Sequence, residues 1–154
     1  MILKFDFDLD VNHLLEIWSK IKHKQVTYKD DRSDKALSHW KIIRHDFKYA
    51  KELSKIFNVE SRPRFYMLNA NTVLQQHTDL GTLCSLNFIL SDVPAPVIFG
   101  DTEVSYKYAL LDTTKSHGVI NNDKERLLFK MSIFNETFDE VKEKLLKNSN
   151  VYEK

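Results

Sequence analysis

The sequence predicts a mainly β domain with flanking helices, built around a double-stranded β-helix, or jelly roll, core. Three observations carry that prediction. Between Arg64 and Phe134, short runs rich in β-branched and aromatic residues alternate with turn signals, at the spacing of a sandwich or barrel rather than of βαβ units. Helical periodicity is confined to the stretches on either side. The chain has 154 residues, enough to bury one sizeable core and too few for two, so a single domain over 1–154 is expected. Its parts are a helical N-terminal portion over about 1–60, the jelly-roll core over about 64–134 and a C-terminal helix over about 136–147.

The elements follow in order. Residues 2–9 alternate, with Leu3, Phe5, Phe7 and Leu9 on one face, and predict a strand. Asp10 or Asn12 can cap a helix over 11–22 that carries Leu14, Leu15, Ile17, Trp18 and Ile21. Residues 25–38 are polar and predict a surface loop. A second helix near 46–57 lines up Phe47, Ala50, Leu53, Ile56 and Phe57, and the stretch from Val59 to Pro63 ends it. Strands are expected at 64–69, 73–78, 84–91, 96–99, 104–111, 117–121 and 126–134. Asn69-Ala70-Asn71, Ser91-Asp92-Val93-Pro94, Gly100-Asp101 and Asn121-Asn122-Asp123-Lys124 supply the turns. The last helix offers Phe138, Val141, Leu145 and Leu146 for packing.

Composition excludes several classes. Hydrophobic residues make up 42% and charged ones 29%, the balance of a soluble globular protein. No apolar run approaches the roughly 20 residues of a membrane span, and the first ten residues lack the pattern of a signal peptide. Cys84 is the single cysteine, which precludes an intrachain disulfide and fits a reducing, cytoplasmic setting. It reads as a buried structural thiol within an apolar strand. The net charge of +1 gives no general pull towards nucleic acid or anionic membrane. Lys20, Lys22, His23, Lys24 and Lys29 form one basic cluster, better read as a solvated helix end than as a phosphate patch, which leaves nucleic acid a minor option among partners.

The chemistry-bearing residues are His77, Asp79 and His117, with Arg126 nine positions further on. Two histidines and one carboxylate make a facial set suited to Fe(II), with coordination positions left open. About 0.5 His-x-Asp matches are expected by chance in such a composition. The order raises the information: His-x-Asp in the strand-rich half, a second His at a later strand, then Arg in a chain with five Arg against eighteen Lys. Expected two apart on one strand, His77 and Asp79 would share a face. Arg126 shares a strand face with Leu128, Lys130 and Ser132; it suits either the distal carboxylate of a dicarboxylic acid or a surface salt bridge with Glu125 or Asp123. Lys130 reads as solvent-facing or paired rather than catalytic. Gly81 and Gly118 adjoin the candidate ligands, where close approach and a positive φ explain a glycine equally well. Gly-rich phosphate loops, Cys-x-x-C, His-Glu-x-x-His and Gly-x-Ser-x-Gly are absent.

From Arg64-Phe65-Tyr66 through His77-Thr78-Asp79, Cys84 to Leu90 and His117 to Arg126-Leu127-Leu128-Phe129, the chain resembles the Fe(II)- and 2-oxoglutarate-dependent oxygenases. The likeness is specifically to the aspartyl/asparaginyl β-hydroxylase-like branch, which includes small bacterial and phage proteins, and it covers roughly half the chain. The resemblance implies that His77, Asp79 and His117 bind Fe(II) and that Arg126 anchors the C5 carboxylate of 2-oxoglutarate. It places Tyr66 and Asn87 at further cosubstrate contacts. It also implies O2 as cosubstrate, conversion of 2-oxoglutarate to succinate, and hydroxylation of a C–H bond in an amino-acid side chain, free or within a peptide or protein. Retention of Asp79 favours hydroxylation over halogenation. The rival readings are a cupin-like metalloenzyme, whose usual His-x-His pair is missing here, and a non-enzymatic jelly-roll interaction module using Trp18, Trp40 or the C-terminal helix. The N-terminal helices and the 25–45 segment are expected to form one wall of the substrate pocket. The prime substrate and the oligomeric state are not written in the sequence.

Overall fold

A computed structural model describes residues 1–24, 26–27, 40–44 and 47–153. Its strands are β1 (Ile2–Phe7), β2 (Val26–Thr27), β3 (Trp40–Arg44), β4 (Arg62–Leu68), β5 (Val73–His77), β6 (Cys84–Ile89), β7 (Val97–Phe99), β8 (Thr102–Val104), β9 (Tyr108–Leu111), β10 (His117–Ile120), β11 (Arg126–Ile133) and β12 (Val151–Glu153). The helices are α1 (Val11–Ile21), α2 (Lys48–Phe57) and α3 (Phe138–Leu146). An eight-stranded antiparallel sheet runs β12-β1-β9-β6-β11-β4-β3-β2, and a four-stranded sheet runs β5-β10-β7-β8. From β4 to β11 the chain crosses between the sheets at every step except the β7–β8 hairpin, the order of a double-stranded β-helix.

Alternation along the strands sorts the side chains between two cores. On β11, Leu127, Phe129, Met131 and Ile133 belong to the larger core, beneath the helices, while Leu128 belongs to the core between the sheets. The larger core collects Phe5, Phe57, Phe65, Phe88 and Phe129 with Leu14 of α1, Leu53 of α2 and Val141 of α3. Its rings meet edge-on, tilted or stacked, as at the tilted pair Phe65 and Phe129 with centroids 5.3 Å apart, contacts worth about 0.5–1.5 kcal/mol per pair beyond burial. The inter-sheet core is smaller, formed by Leu68, Ile89, Ala109, Leu111 and Leu128 against Leu74, Val97, Phe99 and Val119.

Helix ends follow the expected chemistry. Asp10 caps α1 by accepting from the His13 N–H, Thr137 caps α3 by accepting from the Glu140 N–H, and Asn58 ends α2 in the left-handed conformation. Leu15, Ile56 and Leu146 were expected among the packing residues but are exposed, since each falls at the edge of its helix's apolar stripe. The expected strand over 104–111 is two strands: β8 lies in the small sheet and β9 in the large one, and Ser105 to Lys107 carries the chain between them. Val26–Thr27, within the expected loop, and Trp40–Arg44 extend the large sheet beyond β4, and β12 extends it beyond β1. The rest of the 25–38 loop, including Lys29 of the basic cluster, lies outside the described residues. Among the described residues no helix is long and apolar enough to cross a membrane.

Candidate metal centre

A cleft of about 230 Å³ opens between the two sheets. The small sheet brings His77 and His117 to it as direct cross-strand partners, with ring centroids 4.7 Å apart. Asp79 is not on β5, which ends at His77; it sits just beyond, its N–H donating to the Thr113 carbonyl at 3.1 Å. That bond, and the Thr113 hydroxyl donating to the Thr82 carbonyl at 3.0 Å, tie the 78–83 turn to the end of β9. The shared face expected from strand alternation is therefore achieved by the turn.

The two imidazoles are held in one tautomer by the backbone. His77 Nδ1 lies 2.8 Å from the Gln75 carbonyl and His117 Nδ1 lies 2.7 Å from the Lys115 carbonyl. A carbonyl only accepts, so each Nδ1 carries a proton, and Nε2 is the ring nitrogen turned to Asp79. Those Nε2 atoms stand 3.3 and 3.4 Å from one oxygen of Asp79, Oδ1. Three electron-pair donors thus converge, all ligand atoms within 4.8 Å of one another. Such a set could hold a cation between its members, and its nitrogen and carboxylate donors, with backbone bonds that orient both rings, fit Fe(II).

The second Asp79 oxygen, Oδ2, accepts from Lys130 Nζ at 2.7 Å. Of the two options for Lys130, pairing is observed and solvent exposure is not: its side chain is 13% exposed. Burial pushes the Asp79 carboxyl up, but Lys130, His117 and His77 outweigh it and hold the group well below the usual carboxylate range. Burial likewise pulls Lys130 down, and Asp79 more than offsets it, so the ammonium is stabilised.

Arg126 stands at the inner end of the cleft, 2% exposed, which removes the surface salt bridge from consideration. Its Nε donates to the Ala95 carbonyl at 3.4 Å and its Nη2 to the Tyr106 hydroxyl at 3.3 Å. The same hydroxyl accepts from Asn87 Nδ2 at 3.1 Å, and Asn87 Oδ1 accepts from Ser85 at 2.8 Å. Having accepted two donors, Tyr106 retains its own proton for a further acceptor. Tyr66 lines the same cleft, with Lys130 Nζ 5.2 Å from its ring centroid. All six expected site residues therefore line one cleft. Tyr106 and Ser85 were missed: they precede and lie within different strands, and only the β6–β9 pairing brings them together.

Gly118 is explained by close approach. A Cβ there would lie 2.6 Å from the Leu74 carbonyl oxygen and 2.9 Å from the Gln76 nitrogen, where the β5–β10 register shifts beside His117. Gly81 is the other case, with a φ of +75° in the turn that carries Asp79.

No protein-family model matches the chain, and no curated protein matches it. Solved structures do. A Trichoplax adhaerens prolyl hydroxylase, in complex with a hypoxia inducible factor oxygen degradation domain peptide fragment, aligns with TM-score 0.67 at 13% identity, over 96% of this chain and 86% of that one. The viral collagen prolyl hydroxylase of Paramecium Bursaria Chlorella virus-1, in a 2OG complex, aligns with TM-score 0.59 at 12% identity, over 86% and 94%. A Pseudomonas putida prolyl-4-hydroxylase aligns with TM-score 0.58 at 11% identity, over 82% and 86%. The chain has the double-stranded β-helix fold of these oxygenases.

Proposed function

We propose that the protein is an Fe(II)- and 2-oxoglutarate-dependent dioxygenase that hydroxylates a C–H bond, in the first instance of an amino-acid side chain, free or in a peptide or protein. The single observation that carries this is the meeting of His77 Nε2, His117 Nε2 and Asp79 Oδ1 in a cleft whose inner end holds a buried arginine. The peptide bound by the Trichoplax enzyme supports a peptide as one form of substrate. The aspartyl/asparaginyl β-hydroxylase-like branch stays part of the proposal, on the sequence resemblance alone.

In this reading His77, Asp79 and His117 hold the iron, and the bound iron, 2-oxoglutarate and O2 supply the oxidising chemistry, with 2-oxoglutarate converted to succinate. The protein's part is placement. Arg126 offers its guanidinium, and Tyr106 its hydroxyl proton, to the C5 carboxylate, a charge-assisted pair at the driest end of the cleft. Asn87 and Ser85 orient Tyr106 rather than meeting the carboxylate first. Lys130 keeps Asp79 Oδ2, which leaves Oδ1 turned to the imidazoles and makes lysine a positioning residue for the carboxylate ligand. Leu74, Val97, Val119 and Leu128 exclude water from the inter-sheet space.

The test is an anaerobic titration of Fe(II)-loaded protein with 2-oxoglutarate, followed by the visible metal-to-ligand charge-transfer band, with His77→Ala alongside. A band that depends on His77 supports the assignment. Bound iron with no band turns the reading towards a cupin-like metalloprotein, and failure to bind iron towards an interaction module.

A further inference from the structure

The pocket-facing row of β4 carries a second pair of cations at the end of the cleft opposite Arg126. Antiparallel pairing of β4 with β11 sets Arg126 against Leu68, Lys130 against Arg64 and Ser132 against Arg62. Arg126 and the Arg64–Lys130 pair are therefore four residues apart along the strand, about 13 Å of backbone. That exceeds what one five-carbon dicarboxylate spans. Exposure along β4 rises in the same direction, from buried Leu68 to exposed Arg62, so these two arginines stand at the open end.

Among the described residues no ion pair answers their charge. Like charges directly opposite one another across a sheet are destabilising unless each finds a counterion. Lys130 finds Asp79, but the Arg64 Nε is buried with no hydrogen-bond partner. The register of β3 places a further basic residue, Arg44, opposite Arg64 on its other side. Arg62 is steadied by the Phe134 ring, with its guanidinium carbon 4.5 Å from the centroid. Among the described residues lining the cleft Asp79 is the one acidic residue, and it is already shared between Lys130 and the imidazoles.

We propose that Arg62 and Arg64 form an anion subsite that receives a carboxylate of the prime substrate, separate from the Arg126 end. The amino-acid class of that substrate rests on the function proposed above; the anion subsite rests on β4. Two guanidinium groups on one strand face present several N–H donors to the same space, and an incoming carboxylate would satisfy the orphaned Nε. The substrate thus carries an acidic group beside the C–H bond that reacts.

The experiment uses ¹⁵N-labelled full-length protein loaded with Zn(II), as a redox-silent ion, and 2-oxoglutarate. Arginine Nε–Hε signals are assigned with single Arg→Lys variants. The probes are the N-acetyl amides of aspartate and glutamate, with those of asparagine and glutamine as neutral counterparts. The acidic probes are expected to shift the Arg64 signal saturably, and the neutral ones not. In Arg64→Gln, acidic-probe affinity should fall at least about tenfold while 2-oxoglutarate affinity, read by calorimetry, stays within about twofold. Arg126→Gln should do the reverse. The proposal is overturned by an Arg64 signal that ignores the acidic probes or answers both sets alike. It is also overturned if Arg64→Gln weakens 2-oxoglutarate as much as Arg126→Gln does, which would assign Arg64 to the cosubstrate. If wild-type protein binds no 2-oxoglutarate yet Arg64 still answers the acidic probes, the dioxygenase reading falls and the anion subsite stands.

Discussion

Asp79 divides its two oxygens between a pair of imidazoles and an ammonium, and each half predicts a different phenotype. Asp79→Ala removes a metal donor and should abolish Fe(II) retention and coupled hydroxylation, whereas Arg126→Ala should raise the 2-oxoglutarate requirement and leave metal binding largely intact. Undiminished turnover in either variant would refute the corresponding role. Lys130→Gln strands a buried carboxylate, and should destabilise the metal-free protein at neutral pH by about 3 kcal/mol in chemical denaturation. Added divalent metal should recover part of that loss, because it supplies the missing positive charge. The pH dependence follows from the directions of the shifts. Asp79 is held below its ordinary 3.8, so its contribution is complete above that value and is lost as pH falls through the folded one. Lys130 is held above its ordinary 10.5, so its contribution is complete below that value and is lost as pH rises through the folded one. Cys84 belongs to the inert class: fully buried, its thiol is pushed up to about 12, and alkylation by iodoacetamide at pH 8 should await unfolding. The convergence of His77, Asp79 and His117 was legible in the sequence because residue type and order suggest a metal set. The Lys130 partner and the Tyr106 hydroxyl were not, since a contact such as Lys130–Asp79, 51 residues apart, is decided by pairing between sheets.

At the scale of elements, the antiparallel β5–β10 pair is the part of the sheet on which the centre depends most directly. Gly118→Ala would drive a methyl into the backbone of β5 at Leu74 and Gln76, next to the His77–His117 cross-strand pair. The variant should lose about 1–3 kcal/mol of stability and bind metal more weakly, since one ring moves when its strand does. A variant of normal stability and normal metal affinity would show that β5 yields freely there. The strands and helices themselves were readable where period and length agree: β1, β4, β6, β10, β11 and the three helices fall within a few residues of expectation. Short strands escaped. Val26–Thr27 and Val151–Glu153 are too brief for an alternating pattern, and they exist because an edge of the large sheet offers them backbone partners. The split of 104–111 into β8 and β9 was hidden because only the crossing between sheets separates them.

Across the whole molecule, the larger core lies on one face of the large sheet, and the site lies between its other face and the small sheet. Phe129→Ala should cost about 3–5 kcal/mol, as it empties a fully buried position among Phe47, Phe65 and Phe88, yet the folded fraction should bind metal with near-normal affinity. Denaturation and metal titration on one sample separate the two effects, and a matching loss of affinity would contradict the division. The jelly roll as a class was legible from strand spacing, while the count of strands in each sheet was not, because sheet membership depends on partners distant in sequence. The strict alternation of β11 has an evolutionary consequence. Point substitutions can exchange Lys130 or Phe129 one at a time, but deletion of a single residue near the middle of the strand would turn every later position over, sending aromatic rings into the site and charge into the hydrocarbon interior. This stretch of the gene should therefore vary in its letters and hardly ever in its length, whereas connections that carry no site residue are free to grow and shrink.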